Sequence, residues 1–258
     1  MAYSASDMGL VNLADQFIGE VRRIQDTFGL NGLVGAIARE MGFRFYGLAH
    51  HDDLRTPRPD RVLLSHYPSA VVERLQHNQR YRRDPMVRAS ARAGGAFLWS
   101  EVGQLIRVDR QDLAALEFGV REGLNEGITI PYARLGDCFG SCTFAGMREP
   151  DRARNLVGPA QLIGIFAFQA ALRLLASQPT LPLFPRLKPR PRDCIILAGQ
   201  GLSNKEIARA LALAPRTVDG YLTEARATFG VHDRTELVIA ALLAGEIGLH
   251  ELRRNQPE

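Results

Sequence analysis

The stretch Gly201–Val231 reads GLSNKEIARALALAPRTVDGYLTEARATFGV. Its apolar residues recur at helical spacing in two runs, which predicts one helix over Asn204–Leu211 and a second over about Arg216–Phe229. Ser203 and Glu206 stand at the spacing of a capping box before the first helix. Two short helices joined by a tight turn, the second with a polar outer face, are typical of a helix-turn-helix, whose second helix lies in the DNA major groove.

A helical hairpin in an ordinary protein core would show the same spacing, so the particular residues matter. The runs GLSNKEIARAL, RTVDGYL and FGV closely resemble the DNA-binding domain of the LuxR family of bacterial transcription regulators, over about residues 187–247. The resemblance implies binding to double-stranded DNA. The residues that we expect to face DNA are Ser203, Lys205, Arg216, Thr217, Asp219, Gly220, Thr223 and Arg226.

The positive charge of the chain is concentrated in this region. The chain has a formal net charge of +4, and residues 186–226 contain eight basic and four acidic residues. Charged stretches are more often just solvated surface, but a positive face on a helix-turn-helix favours contact with phosphates.

Two features of this domain depart from the family pattern. The threonine and glutamate that usually cap its first helix are replaced by Lys188 and Pro191, so the reciprocal cap is lost. The usual lysine of the recognition helix is replaced by Asp219, which can accept a hydrogen bond from cytosine N4 but repels phosphate. We therefore expect an operator that differs from the usual one.

Length and composition predict a two-domain, soluble, cytoplasmic protein. The 258 residues are 46% hydrophobic and 23% charged, and three cysteines are too few for a disulfide framework. We expect no membrane span, because no run of about 18 apolar residues occurs. The first residues lack the basic start and apolar core of a signal peptide.

The N-terminal part alternates helical and strand-like patterns. They predict a helix over Leu10–Phe28 and a second helix capped by Asn31. They also predict a strand at Phe43–His50, a second strand that returns beside it in a hairpin, and a long helix over Pro159–Ala176. The predicted fold class is α+β: an α/β/α sandwich over residues 1–178, a proline-rich linker over 179–186 and an all-α helix-turn-helix domain over 187–258.

The stretch Ser65–Ser100, together with EGITIP and FGSCT, resembles the signal-binding domain of LuxR-type regulators, which bind acyl-homoserine lactones. The resemblance spans roughly residues 13–175. It implies that Tyr67 meets the acyl carbonyl of the signal, Asp84 accepts from its amide N–H, and Trp99 packs on the lactone ring. By the same resemblance, the hydroxyl of Thr143 binds a group on the amide side.

Each of these residues also has a purely structural interpretation. Asp84 precedes a proline and would cap a helix well, Tyr67 would pack beneath a hairpin, and Trp99 would fill a core.

Two pocket positions differ from the family. Val71 stands where a tryptophan usually donates to the lactone carbonyl, and Leu75 stands where a tyrosine is usual. Either Tyr81 supplies the missing hydrogen bond or the signal lacks the lactone. We therefore expect an acyl-homoserine lactone or a related small amphiphile in an altered pocket, with weak response to simple lactones.

The leading interpretation is a homodimeric, signal-responsive regulator of transcription that reads an inverted-repeat operator and needs no cofactor. The dimer candidates are the helix Pro159–Ala176 and the apolar stretch Thr235–Ile247. Two alternatives remain: a regulator whose pocket is closed by its own side chains, and an enzyme acting on acyl lactones through His50, His51 and Asp84. A metal site at the two histidines is disfavoured because adjacent strand residues point to opposite faces.

Overall fold

The computed structural model describes residues 5–51, 61–76, 81–133, 139–147, 149–175 and 186–253, and the chain divides into two compact units, residues 1–179 and 180–258. Residues 52–60 and 134–138, and the predicted linker apart from its last residue, lie outside the described residues.

The first unit combines helices with one antiparallel sheet. Its described elements are α1 (Ala5–Val21), α2 (Thr27–Glu40), β1 (Phe45–His50), β2 (Leu63–His66), α3 (Ser69–Gln76), α4 (Pro85–Ser90), β3 (Phe97–Leu98), a 3-10 turn (Trp99–Glu101), α5 (Val102–Leu105), α6 (Arg110–Arg121), β4 (Glu126–Tyr132), β5 (Gly140–Met147) and α7 (Pro150–Leu175).

The strands lie in the order β2-β1-β5-β4-β3, and every neighbouring pair is antiparallel. Gly47 of β1 stands opposite both Ser65 of β2 and Thr143 of β5, and Thr143 in turn stands opposite Thr129 of β4. Residues in one such row share a face of the sheet, because successive side chains along a strand alternate between faces.

The two faces of the sheet differ in side-chain size. On one face Leu48, Ile128 and Phe144 are fully buried against α1, α2 and α7. The other face carries small residues and leaves space between the sheet and the helices α3 to α6: Gly47, Ala49, Gly127, Thr129, Ser141, Thr143 and Ala145. The predicted α/β/α sandwich is confirmed, and this size difference is what opens a cavity on one side only.

The two helices predicted at the start of the chain are present, but their bounds differ: the first ends at Val21 instead of Phe28, and the second begins at Thr27. Asp26 caps α2, and its side chain accepts from the backbone N–H of Gly29 at 2.7 Å. Asn31 is therefore not a cap but lies within α2, where its side-chain oxygen accepts from the Tyr46 hydroxyl at 2.9 Å. Ile24, between the two helices, continues their apolar pattern and packs against the same core. The sequence pattern therefore does not show where the first helix ends.

The long helix α7 begins at Pro150 rather than at Pro159, which lies inside it. An internal proline costs about 3 kcal/mol. Packing on both sides of the proline offsets that cost, because Ala153 and Leu156 before it and Ile163 after it are buried in the core.

By length and composition alone, the segment Asp151–Leu175 of α7 could cross a membrane, with a mean hydropathy of 1.4 over its most apolar window. Its fully buried residues Ile163, Ala167 and Phe168 pack against the sheet, which is the placement of a core helix.

The second unit contains α8 (Pro189–Gly199), α9 (Asn204–Leu211), α10 (Pro215–Phe229) and α11 (Arg234–Leu243) around one apolar core. Helix α9 has the predicted bounds, and the capping box of Ser203 and Glu206 is formed. Gly230 ends α10 in the left-handed conformation with φ of 65°, which glycine adopts readily. Lys188 stands at the N-cap of α8 and makes no capping bond with its side chain in the described chain, which agrees with the predicted loss of that cap.

Candidate functional site

A cavity of about 1320 Å³ lies between the small-residue face of the sheet and the helices that cover it. All seven residues that the sequence predicts as signal contacts line this one cavity: Tyr67, Val71, Leu75, Tyr81, Asp84, Trp99 and Thr143.

Two aromatic rings form the floor of the cavity, and each lies over a glycine of the sheet. A Cβ atom on Gly47 would stand 2.7 Å from Cε2 of Tyr67, and one on Gly127 would stand 2.8 Å from Cε2 of Trp99. Both distances are too short for a side chain, so only glycine lets the rings lie this close to the strands.

The polar groups of these rings are joined by two threonines. The indole Nε1–H of Trp99 donates to Oγ1 of Thr129 at 2.9 Å, and Oγ1 of Thr129 lies 3.1 Å from Oγ1 of Thr143. The hydroxyl of Thr143 also acts on the side chain of Tyr67, whose pKa it lowers. We call these four residues the hydroxyl chain.

Sequence reasoning missed Thr129, although its neighbours in the hydroxyl chain were predicted. Thr129 is 1% exposed and is not among the residues that line the cavity. The signal lies in the strand register, which places Thr129 of β4 opposite Thr143 of β5.

The surroundings of Tyr67 disfavour ionisation of its phenol. Burial raises its pKa above the ordinary value, and the Cys142 thiol and the Asp84 carboxylate raise it further, while the hydrogen bond with Thr143 lowers it. A phenol is protonated at neutral pH even at its ordinary pKa, so Tyr67 has a proton to donate.

One part of the cavity wall is apolar. Val71, Leu124 and Ala145 are buried there, with Leu75 and Phe118 packed beside them. Val71 and Leu75 thus extend the apolar wall at positions where the family has polar aromatic side chains.

Tyr81 is a second hydroxyl at the cavity and is 1% exposed. Its oxygen accepts from Nε of Arg82 at 3.0 Å. The phenol proton of Tyr81 therefore remains for another acceptor, which fits the substitute role predicted for it.

Asp84 caps α4, so its structural interpretation is realised. One oxygen, Oδ1, accepts from the backbone N–H of Met86 at 2.9 Å and of Val87 at 3.3 Å. Burial raises the pKa of the Asp84 carboxyl above its ordinary value, although the two backbone hydrogen bonds lower it. Capping uses only Oδ1, so Oδ2 can accept from a ligand in the cavity, and the two interpretations are compatible.

The two adjacent histidines of β1 point to opposite faces. His50 is buried on the core face, where its Nδ1 accepts from the backbone N–H of Val62 at 3.0 Å and its ring packs edge-on against Phe168. His51 lines the cavity, and its Nε2 lies 2.9 Å from Oγ of Ser141. His50, His51 and Asp84 therefore do not converge on one site. Among the described residues, no group of three or more His, Cys, Asp or Glu is placed to hold a metal ion.

The second unit presents the residues predicted to face DNA. Most of them are exposed on α9, α10 and the residue before α9: Ser203, Lys205, Arg216, Asp219, Gly220 and Thr223. Thr217 and Arg226 are half-buried. A Cβ atom on Gly220 would meet nothing within 4 Å, so this glycine leaves the middle of α10 open to close approach.

Some charged groups of this unit are engaged within the fold. Arg226 donates to the backbone oxygen of His232 at 3.1 Å and to Oγ1 of Thr223 at 3.0 Å. Arg192 binds both carboxylate oxygens of Glu251 at 2.8 Å, so it stabilises the end of the domain rather than adding to the positive surface.

Asp219 is linked to two other helices. Its Oδ1 accepts from the side-chain amide of Asn204 at 3.2 Å, and Oδ1 of Asn204 accepts from Arg234 at 3.0 Å. Arg234 also donates to the backbone oxygen of Leu202. This linkage connects the start of α9, the exposed face of α10 and the start of α11.

Comparison with known families matches both units. Residues 26–171 match the family described as autoinducer binding domain, and residues 186–241 match the family described as bacterial regulatory proteins, luxR family. The first match alone covers more than half of the chain.

Similar proteins and structures agree with these matches. The chain is 27% identical to the quorum sensing-dependent transcriptional regulator RpaR of Rhodopseudomonas palustris, over 91% of this chain and 94% of that protein. It is 25% identical to the transcriptional activator SolR of Ralstonia solanacearum, over 88% and 95% of the two chains.

Among solved structures, Escherichia coli SdiA superposes with a TM-score of 0.58 at 18% identity, over 92% of this chain and 98% of that one. A structure of SdiA in complex with octanoyl-rac-glycerol gives 0.59 at 17% identity, over 95% and 97%. These structures share the fold, and the family matches go further: the chain belongs to the LuxR family of quorum-sensing transcriptional regulators.

Proposed function

We propose that the first unit binds a small, largely apolar signal that carries a carbonyl group, and that the second unit binds operator DNA. The observation that carries the proposal is the convergence of seven expected contact residues on one cavity, which has hydroxyl groups on its floor and an apolar patch on its wall. Few placed polar groups in an apolar cavity are how a small amphiphile is held. We assign residues 1–178 to signal binding, 179–186 to the linker and 187–258 to DNA binding.

Each polar contact follows from the hydrogen-bonding capacity left at the cavity. Tyr67 and Tyr81 retain donors for carbonyl oxygens, and Oδ2 of Asp84 accepts from an amide or hydroxyl proton. Trp99 offers its ring as a packing surface. Because Val71 has no donor, a signal more apolar or aromatic than a simple straight-chain acyl lactone fits this cavity best.

Neither alternative has comparable support. A regulator whose own side chains close the pocket would not have a cavity of about 1320 Å³, which exceeds the roughly 300–1,000 Å³ of ordinary small-molecule sites. An enzyme acting through His50, His51 and Asp84 would need the three side chains together, but His50 lies in the core. We propose that the protein senses its signal without converting it.

We further propose that the protein works in the cytoplasm as a homodimer on an inverted-repeat operator. Leu162 on α7 is 42% exposed, and Ile239 and Leu243 on α11 are 50% and 40% exposed. Apolar side chains at these two places would be buried by a second copy. A twofold-symmetric dimer matches two operator half-sites.

The signal is tested by titrating a reporter strain with straight-chain acyl-homoserine lactones of several lengths, an aromatic acyl lactone and 1-octanoyl-rac-glycerol. We expect straight-chain lactones to act at roughly ten- to a hundredfold higher concentration than the best signal, because a lactone carbonyl left without a donor costs about 1–3 kcal/mol. Mass spectrometry of ligand extracted from purified protein identifies the bound species. A nanomolar response to any straight-chain lactone would contradict the prediction that the pocket is altered. Hydrolysis of the signal by the purified protein would support the enzyme hypothesis instead.

DNA binding is tested by Arg216→Ala. Arg216 is exposed in the first turn of α10, where a cation meets phosphate. We expect weaker binding to all DNA sequences. We also expect the slope of log affinity against log salt concentration to become shallower by roughly one, because one phosphate contact is lost. Arg110→Ala removes the same charge from an exposed position on α6 and should leave both quantities unchanged. An unchanged salt slope in Arg216→Ala would remove this residue from the interface.

A further inference from the structure

The linkage of Asp219, Asn204 and Arg234 can form in only one orientation of the Asn204 amide. A guanidinium can only donate, so Arg234 must meet the amide oxygen, and Oδ1 of Asn204 accepts from it at 3.0 Å. The amide nitrogen then faces Asp219, whose ionised carboxylate can only accept, and it donates to Oδ1 of Asp219 at 3.2 Å. Exchanging the oxygen and the nitrogen of the amide would break both hydrogen bonds.

The linkage is anchored within the fold and ends at the surface of α10. Arg234 and Asn204 are half-buried, and Asp219 is exposed. Arg234 is itself held, because it also donates to the backbone oxygen of Leu202. Arg216 precedes Asp219 by one helical turn, yet the two form no ion pair in the described part of the chain. Asp219 is therefore bound to Asn204, and the charge of Arg216 remains available for phosphate.

One carboxylate oxygen of Asp219 remains for DNA. Its Oδ1 accepts from Asn204, and among the described residues no group donates to Oδ2. The bases that present a donor in the major groove are cytosine, through N4, and adenine, through N6. Adenine also presents the acceptor N7 beside its amine, which repels a carboxylate, so cytosine is the better match.

We propose that Asn204 is a positioning residue for operator recognition, which holds the carboxylate of Asp219 in place to accept from a cytosine amine in the major groove. The inference rests on the proposed DNA binding and deepens it, because it names a pair of residues that determines specificity and the base that they select. Asn204 acts through Asp219 and needs no contact with a base. Its bond to Asp219 should strengthen in the complex, because DNA displaces water from around it.

The first part of the test locates the base pair that Asp219 reads. Full-length protein, purified with the most active compound of the reporter titration, selects bound duplexes from a library of random sequence. The same selection with Asp219→Ala should return operators that have lost the preference at one base pair of each half-site. In the operators of the unmodified protein, we expect this base pair to be cytosine–guanine.

The second part measures affinity for four duplexes that differ only at this base pair of one half-site. The unmodified protein should prefer the cytosine duplex by about tenfold or more, as is typical of one mismatched base pair. Asn204→Asp keeps the size of the side chain and the acceptor for Arg234, but it replaces the donor to Asp219 by a second carboxylate. Asn204→Ala removes both bonds without adding charge.

Both variants should reduce the preference for the cytosine duplex to below about threefold, because the carboxylate of Asp219 is no longer held. Asn204→Asp should keep the melting temperature of the unmodified protein, since its bond to Arg234 survives, so a loss of preference there does not come from a loosened fold. Adding Asn204→Ala to Asp219→Ala should leave the relative affinities for the four duplexes as they are in Asp219→Ala alone.

The outcomes separate this role from DNA binding itself. The inference is overturned, and DNA binding by the second unit stands, if Asp219→Ala selects the unmodified operator or if the base pair lacks cytosine. It is also overturned if either variant of Asn204 keeps the preference, including the case in which binding to all four duplexes weakens equally. A change of preference on adding Asn204→Ala to Asp219→Ala would show that Asn204 acts without Asp219, which contradicts the positioning role. If the unmodified protein enriches no sequence, the proposed DNA binding and this inference both fail.

Discussion

Asp84→Asn should reduce sensitivity to the signal by about ten- to a hundredfold without lowering thermal stability. The carboxylate oxygen Oδ2 is available to a signal while Oδ1 caps α4. Replacing a charged acceptor by a neutral amide weakens the bond to a buried donor by about 1.5–3 kcal/mol. Asparagine caps a helix as well as aspartate does, so the cap itself should survive.

The pH dependence of this variant separates its two effects. Burial raises the pKa of Asp84, so the folded protein holds the proton more tightly than the unfolded chain. The resulting stabilisation is complete below the ordinary aspartate pKa and is lost as the pH rises through the raised value. The ionised carboxylate therefore costs stability at neutral pH, where Asp84→Asn should melt at an equal or higher temperature than the unmodified protein, and this advantage should vanish toward acidic pH.

Asp84→Ala provides the control, since it removes cap and charge together and should cost about 1 kcal/mol of stability from the cap. Melting curves across the acidic and neutral range and reporter titrations measure both quantities. Full signal sensitivity in Asp84→Asn would leave this residue with its capping role alone.

Gly127→Ala should disturb the cavity floor and the fold together. Its Cβ atom would stand 2.8 Å from the backbone oxygen of Phe144 and 2.8 Å from Cε2 of Trp99. The backbone oxygen belongs to the neighbouring strand and cannot move aside without breaking the ladder between β4 and β5. We expect a loss of about 1–3 kcal/mol of unfolding free energy and loss of signal response as Trp99 is displaced.

Gly47→Ala is the matched comparison on the same face of the sheet. Its Cβ atom would stand 2.7 Å from Cε2 of Tyr67, a half-buried side chain whose ring can swing toward the cavity. We expect little change in melting temperature but loss of signal response, because the ring would occupy the space of the signal. Equal stability losses in the two variants would show that the glycines serve strand packing and not the seating of the rings.

The helix-turn-helix could be predicted almost residue by residue, because its local signals agree. Ser203 caps α9, the apolar spacing sets its buried face, and Gly230 takes the left-handed conformation that ends α10. None of these features depends on contacts that are distant in sequence.

The first unit could be predicted only in outline, because tertiary packing decides its details. Pro159 is a helix breaker by local rules, yet α7 continues through it because the core holds both sides. The hydrogen bonds of Thr129 follow from strand register, which pairs residues that are distant in sequence. A local pattern does not record this pairing.

The linkage of Asp219, Asn204 and Arg234 bears on how such a regulator diversifies. If Asp219 reads a base, the residue that selects the operator is also a tie between three helices. Replacing Asp219 by lysine would place a cation beside the Asn204 amide, which is already hydrogen-bonded to Arg234. A change of operator preference would then also weaken the link between the three helices. Changes at positions 219 and 204 should therefore be epistatic. A substitution at 204 that is neutral with aspartate at 219 should become beneficial when 219 is lysine. Operator preference and the packing of these helices would therefore change together in evolution.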